Sequence, residues 1–241
     1  MSHPILAVEG VSKTFGGLRA LHEVSFQVAD NEIVGLIGPN GAGKTTLFNV
    51  VSGYCRPSEG RVLYRGHDVS GRPPYRLAKL GVGRTFQVVK PFAGLSVLDN
   101  VTIASLLRHP HRGRAEENAW GVLEFTGLAD RAHHPASGLT LAGRKRLEIA
   151  KALALEPALL LLDEVVAGLN PTEADRTVEL ILQLKEQGMT ILIVEHIMRV
   201  IMNISDRVVV LNYGEKIAEG PPAQVADDPL VIQAYLGEAA A

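Results

Sequence analysis

A lysine, two threonines and three glycines fall within nine residues of this 241-residue chain, at a spacing that suits one task. Gly38-Pro39-Asn40-Gly41-Ala42-Gly43-Lys44-Thr45-Thr46 has the pattern G-x-x-x-x-G-K-[ST]. Glycines let successive backbone N–H groups curl around an anion, and a helix N-terminus adds its positive dipole end. Lys44 is then expected to reach the outer phosphates of a nucleoside triphosphate, and the Thr45 hydroxyl to help hold Mg²⁺.

Two further stretches end in groups able to act on such a ligand. Leu159-Leu160-Leu161-Leu162-Asp163-Glu164 reads as a buried strand delivering two carboxylates at its C-terminal end, where open parallel sheets bind ligands. Asp163 is expected to hold Mg²⁺ through water, and Glu164 to polarise the attacking water. Ile191-Leu192-Ile193-Val194-Glu195-His196 repeats the design. His196 there is either a hydrogen-bond donor to the terminal phosphate or a satisfied surface residue. Gln87, after Gly83-Arg84-Thr85-Phe86, either touches the metal or the water, or caps a turn. Spacing settles neither residue.

These groups need a scaffold, and the surrounding sequence supplies one. Leu21–Val28, Glu32–Ile37, Gly60–Tyr64 and Val82–Thr85 read as strands, with a helix over Thr46–Val51. From about Val88 to Pro157 the β-branched runs disappear and helices joined by polar loops are expected. After Ala158, strand and helix alternate: Leu159–Leu162, a helix over Pro171–Lys185, Thr190–Val194 and Arg207–Leu211. Such alternation implies an α/β fold, a mainly parallel sheet interrupted by a helical insertion.

Bulk properties narrow the class. The net charge of −2 gives no overall positive field for nucleic acid. The basic run Arg108-His109-Pro110-His111-Arg112-Gly113-Arg114 reads most simply as a solvated loop. A single cysteine, Cys55, precludes an internal disulfide. The first residues, Met1–Leu6, lack the basic-then-apolar order of a secretory signal. The most apolar window, Ala152–Leu169, is broken by Glu156, Pro157, Asp163 and Glu164, so no membrane span is expected. His133 and His134 are adjacent rather than one helical turn apart, a poor spacing for a metal.

The combination and order of these motifs resemble the ATP-binding subunits of ABC transporters over nearly the whole chain. That resemblance implies a P-loop NTPase (RecA-like) parallel-sheet core with an antiparallel β-subdomain and a helical insertion subdomain. One domain over 1–241 is expected, with 1–87 and 158–241 forming the core and 88–157 the helical part. It further implies that Phe15 stacks on adenine, that Gln87 senses magnesium and faces a membrane subunit, and that Glu164 is the catalytic carboxylate. His196 matches the switch histidine, and Ala167-Gly168-Leu169-Asn170 the loop that contacts a second subunit. The family signature departs from its usual Leu-Ser-Gly-Gly-Gln. Here it is Leu139-Thr140-Leu141-Ala142-Gly143, in which Thr140 keeps a hydroxyl, Ala142 carries a Cβ and Gly143 lacks the amide. Arg144 and Lys145 behind it read either as cations that attract the triphosphate or as a solvated basic face.

Arg84-Thr85-Phe86-Gln87, Pro91–Val101, Ala167–Glu173 and the tail Val231–Gly237 resemble the branched-chain amino acid importer type in particular. The resemblance implies ATP hydrolysis with Mg²⁺, at the cytoplasmic face of the cell membrane, as a peripheral protein. The implied partners are membrane-spanning permease subunits, a second ATPase subunit, like or unlike, and indirectly a solute-binding protein; no nucleic acid is implied. Importers of urea, amides or other amino acids would leave similar marks, and a soluble ABC ATPase is the more distant alternative.

Overall fold

The computed structural model describes residues 4–239, with side chains to Tyr235. The first three residues of the N-terminal stretch, and the side chain of Leu236 in the tail, lie outside the described part. The chain opens with β1 (Leu6–Phe15), β2 (Leu18–Val28) and β3 (Ile33–Ile37), followed by α1 (Lys44–Val51). Next come β4 (Glu59–Tyr64), β5 (His67–Asp68), α2 (Pro74–Leu80) and β6 (Val82–Arg84). Three helices follow: α3 (Val97–Ser105), α4 (Arg112–Phe125) and α5 (Leu141–Leu153). Strand and helix then alternate through β7 (Leu159–Asp163), α6 (Pro171–Glu186), β8 (Thr190–Val194), α7 (Met198–Ile204) and β9 (Arg207–Asn212). The described chain closes with β10 (Glu215–Gly220), α8 (Pro222–Ala226) and α9 (Pro229–Ala239).

Two sheets result. One is antiparallel in the order β2-β1-β4-β5, and the other runs β10-β9-β3-β8-β7-β6. In the second, β9, β3, β8, β7 and β6 are parallel and only β10 is antiparallel to its neighbour. Strands β3, β7 and β8 are buried along their whole length, which is why they read as unbroken apolar runs. Their period of two still sorts the side chains. Val34, Leu36, Leu159 and Leu161 face a core shared with α1 and the antiparallel sheet. Ile33, Ile37, Leu160 and Leu162 face a second core under α6 and α7. Thus α1, the helix after the phosphate loop, lies between the two sheets rather than on an outer surface.

Helices α3, α4 and α5 share a third apolar cluster through Val97, Val101, Leu123 and Leu147. Helix α5 also sends Ile149 and Ala152 into the second core, tying the helical unit to the sheet. The basic run is solvated only in its second part, where residues 110–114 are exposed and Arg112 opens α4. Arg108 is half-buried and donates to the carbonyls of Leu155 (2.7 Å) and Lys79 (3.0 Å), while His109 Nε2 lies 2.9 Å from Glu156 Oε1. Arg108 thus braces the helical unit against the end of α2, a role that charge counting does not reveal.

Candidate functional site

Parallel strands end on a common edge, and here the ends of β3, β6, β7 and β8 deliver the groups picked out by their chemistry. Register fixes the alignment: Asp163 lies opposite Val194, and Arg84 opposite Leu161. The phosphate loop leaves β3 and enters α1 through Gly43, the helix N-cap, at φ 99°. A side chain at Gly43 would stand 2.7 Å from the carbonyl of Ala20, and one at Gly38 would stand 2.1 Å from the carbonyl of Leu211. Both glycines are therefore required by the neighbouring backbone. Pro39 and Ala42 are buried, whereas Asn40, Gly41 and Thr45 are exposed and Thr46 is half-buried. Lys44 Nζ donates to the carbonyls of Gly38 (2.6 Å) and Pro39 (2.8 Å), so the ammonium lies across its own loop.

Beside the loop, Thr45, Gln87 and Asp163 line one cavity of about 440 Å³, together with Arg84 and Lys151. A hydroxyl, an amide and a carboxylate facing one space are the oxygen donors that Mg²⁺ takes, so the residues present fit that ion. Gln87 Nε2 donates to Glu164 Oε2 at 2.7 Å, which leaves the amide oxygen for other partners. The open choice for Gln87 is thereby narrowed: its nitrogen engages the second carboxylate instead of capping a turn. His196 is more than half exposed and places Nδ1 4.0 Å from the same Glu164 oxygen. Gln87, Glu164 and His196 thus converge from the ends of β6, β7 and β8.

Sequence reasoning missed the residue that braces this corner. Arg84 donates through one terminal nitrogen to Asn49 Oδ1 (2.9 Å) and Ser52 Oγ of α1 and its C-cap. Through the other it donates to Asp163 Oδ2 (3.1 Å). Its guanidinium carbon lies 5.2, 5.0 and 5.3 Å from the ring centroids of Phe48, Tyr54 and Phe86. Burial pushes the Asp163 carboxyl above its ordinary range, and the Arg84 charge opposes that shift. Thr85 adds a second brace, accepting a hydrogen bond from Asp163 N through Oγ1 at 3.0 Å. The only local signal for Arg84 was a cation at the end of a strand, which has no distinguishing pattern.

Phe15 ends β1 and is 51% exposed, so it is not a core phenylalanine. Lys13 Nζ sits 4.9 Å from its ring centroid. The signature residues occupy a different place. Thr140 is the N-cap of α5 and accepts a hydrogen bond from Gly143 N at 3.2 Å. Thr140, Ala142 and Gly143 line a separate cavity of about 440 Å³ with Arg131, Arg146 and Arg176. Neither reading of Lys145 as a phosphate cation or a solvated face survives. Its side chain is buried and donates to the carbonyl of Glu164, because α5 packs its inner face against the end of β7. Arg144 is exposed and donates to the carbonyl of Leu139 at 2.9 Å.

Glu195, between Val194 and His196, is also buried. It accepts a hydrogen bond from Val166 N through Oε1 at 2.8 Å, and burial pushes its carboxyl up to about 7. The loop after Glu164 then runs into α6, which Asn170 and Glu173 close with reciprocal side-chain bonds to each other's backbone N–H.

Comparison with known proteins identifies the relatives of this chain. The ABC transporter family matches residues 21–167, and a family described as the branched-chain amino acid ATP-binding cassette transporter matches 215–241. The chain is 42% identical to the high-affinity branched-chain amino acid transport ATP-binding protein LivG of Escherichia coli, over 99% of this chain and 100% of that one. It is 40% identical to BraF of Pseudomonas aeruginosa, a protein of the same description, with the same coverage. The crystal structure of the ADP conformation of MJ1267, an ATP-binding cassette of an ABC transporter, superposes with a TM-score of 0.89. That protein is 33% identical, with 98% of this chain and 99% of that one covered. A family match over more than half the chain, joined to full-length relatives at 40–42% identity, shows that the chain belongs to the ABC transporter family, as one of its ATP-binding, ATP-hydrolysing cassettes.

Proposed function

We propose that this chain is the ATPase of an importer for branched-chain amino acids, bound peripherally at the cytoplasmic face of the cell membrane to permease subunits and paired with a second ATPase subunit. The solute class rests on the full-length likeness to LivG and BraF and on the C-terminal family match at 215–241. No described helix is long and apolar enough to cross a membrane, so a membrane path would be supplied by partners. We take residues 88–157 as the helical unit and the remainder as the nucleotide-binding core.

One observation carries the hydrolytic reading: Gln87 and His196 both approach the same oxygen of Glu164, beside the phosphate loop. In this reading the amides of Gly38–Thr46 surround the phosphates, and Lys44 exchanges its two loop carbonyls for phosphate oxygens. Phe15 offers an exposed ring for adenine. Mg²⁺, when bound, would be held by Thr45, Gln87 and Asp163 and would neutralise charge on the outer phosphates. Glu164 orients the attacking water and draws on its proton, while His196 donates toward the terminal phosphate. Thr140, at the N-terminus of α5, faces the nucleotide of the second subunit, with Ala142 and Gly143 beside it. ATP then holds two subunits together until its terminal phosphate is cleaved.

The test is leucine uptake by vesicles containing the chain with its permease and solute-binding partners. Uptake should require ATP, be outcompeted by isoleucine and valine, and be unaffected by urea. Glu164→Gln should keep ATP binding yet lower turnover by about a hundredfold or more. Urea uptake without leucine uptake would overturn the solute assignment, and normal hydrolysis by Glu164→Gln would overturn the role of that carboxylate.

A further inference from the structure

We propose that Lys145 is a positioning residue for the hydrolytic carboxylate, holding the backbone of Glu164 in the turn that aims its side chain at Gln87 and His196. The proposal rests on the reading of Glu164 given above.

Strand β7 ends at Asp163, and Glu164 has φ +49°, the left-handed region that a side chain with a Cβ disfavours. Such a conformation persists only where surrounding groups impose it. Here Glu164 N donates to the carbonyl of Val194 at 2.9 Å, which fixes one side of the peptide. The carbonyl of Glu164 has left the sheet ladder. It receives a long bond from Ala167 N (3.4 Å) and the ammonium of Lys145.

Lys145 is a costly way to supply one hydrogen bond. It is 7% exposed, and burial lowers its pKa against the attraction of Glu195, Glu164 and Asp163. A residue needed only to fill that space would be apolar. Glu195 makes the same case from the other side. It too is buried, holds Val166 N through Oε1, and leaves Oε2 without a partner among the described residues. Two buried ionisable side chains, from α5 and from the end of β8, therefore grip the backbone of one short turn, Glu164–Val166. That turn carries the carboxylate at its first residue and leads into the loop before α6.

The direction of the effect follows. Without the ammonium the Glu164 peptide is free to relax to negative φ, and its carboxylate swings away from Gln87 and His196. Phosphate binding depends on Gly38–Thr46, which Lys145 does not touch, so affinity for ATP is preserved while turnover falls.

The experiment compares Lys145→Met, Lys145→Arg and Glu164→Gln in the full-length chain co-purified with its membrane subunits. It reads steady-state ATPase and equilibrium binding of a fluorescent ATP analogue. Lys145→Met should lose about tenfold or more in kcat with KM and affinity unchanged within about twofold, and Lys145→Arg should regain most of the lost kcat. If Lys145→Met does not fold, Lys145→Gln, whose shorter side chain also fails to reach the carbonyl, should show the same split. An unchanged kcat, parallel losses of kcat and affinity, or an arginine variant no better than methionine would each overturn the proposal. Were Glu164→Gln itself fully active, the reading of Glu164 would fall first. Loss of turnover in Glu164→Gln alone would remove only the part given to Lys145.

Discussion

Arg84 ties the strand end that carries Asp163 to α1 and to three aromatic rings. It is the cation beside a buried carboxylate, and its removal leaves Asp163 desolvated and short of a donor. Arg84→Met should therefore cost on the order of 3 kcal/mol in denaturant unfolding, and adding Asp163→Asn should recover much of that. A double variant no more stable than Arg84→Met would show that ring packing, not charge, is what Arg84 supplies. Glu195 gives a signed pH dependence. Its folded pKa of about 7 lies above the ordinary 4.5, so the native state binds the proton more tightly than the unfolded chain. That contribution is fully present below about pH 4.5 and is lost as the pH rises towards 7. Glu195→Gln, a permanently neutral analogue, should flatten this part of the stability profile and be more stable than the parent above pH 7, by on the order of 3 kcal/mol at most. Urea titrations at several pH values across that range test it; identical slopes for the two proteins would refute it. The phosphate loop was legible because its chemistry lies in nine consecutive residues. Arg84, Lys145 and Glu195 were not legible, because each gains its role from a residue distant in sequence.

At the level of elements, burial decided what could be read. Strands β3, β7 and β8 are enclosed on both faces, so apolar runs marked them almost to the residue. Strand β1 was hidden by Gly10, at φ +58°, and by shifts of register on both sides of it, which break the alternation a strand normally shows. Strand β10 is half-exposed and polar, so it has no apolar pattern to detect. The signature helix lies between these cases: its start was placed correctly from Thr140, while its inward face was misread at Lys145. Its unusual residues permit a direct exchange. A Cβ at Gly143 would lie 3.3 Å from Leu139 Cβ, a contact relieved by a small shift of that leucine, and Gly143 N already reaches Thr140. In Ala142→Gly with Gly143→Gln, the helix loses about 1 kcal/mol at one position and regains about as much at the next. The double variant should melt within a few degrees of the parent and retain or exceed its ATPase rate. A stable protein without turnover would mean that Ala142 and Gly143 are specifically required.

The whole molecule places its phosphate site and its outward-facing loop at two ends of one strand-edge segment. Strand β6 is the last of the parallel sheet, and the chain beyond it passes Gln87 before reaching α3. The near end is pinned where Thr85 N donates to the carbonyl of Leu161 at 2.9 Å. The far end is pinned by Asn100, buried in α3, which accepts from Phe92 N (2.8 Å) and donates to the Phe92 carbonyl (3.1 Å). Between these anchors Val88 is 64% and Phe92 53% exposed, while Val89 and Pro91 are half-buried. Large apolar side chains held outward on a braced backbone suit a partner surface better than a core. Phe92 neither fills the interior nor lines the cavity that holds Thr45, Gln87 and Asp163, so Phe92→Glu should leave folding and ATP affinity intact. It should also remove the chain from complexes with the permease subunits proposed above, because a buried carboxylate at such an interface would lack a partner. Co-purification in detergent measures this directly. A variant that still co-purifies, and still drives uptake, would place the membrane contact elsewhere on the molecule and break the physical link from that contact to Gln87.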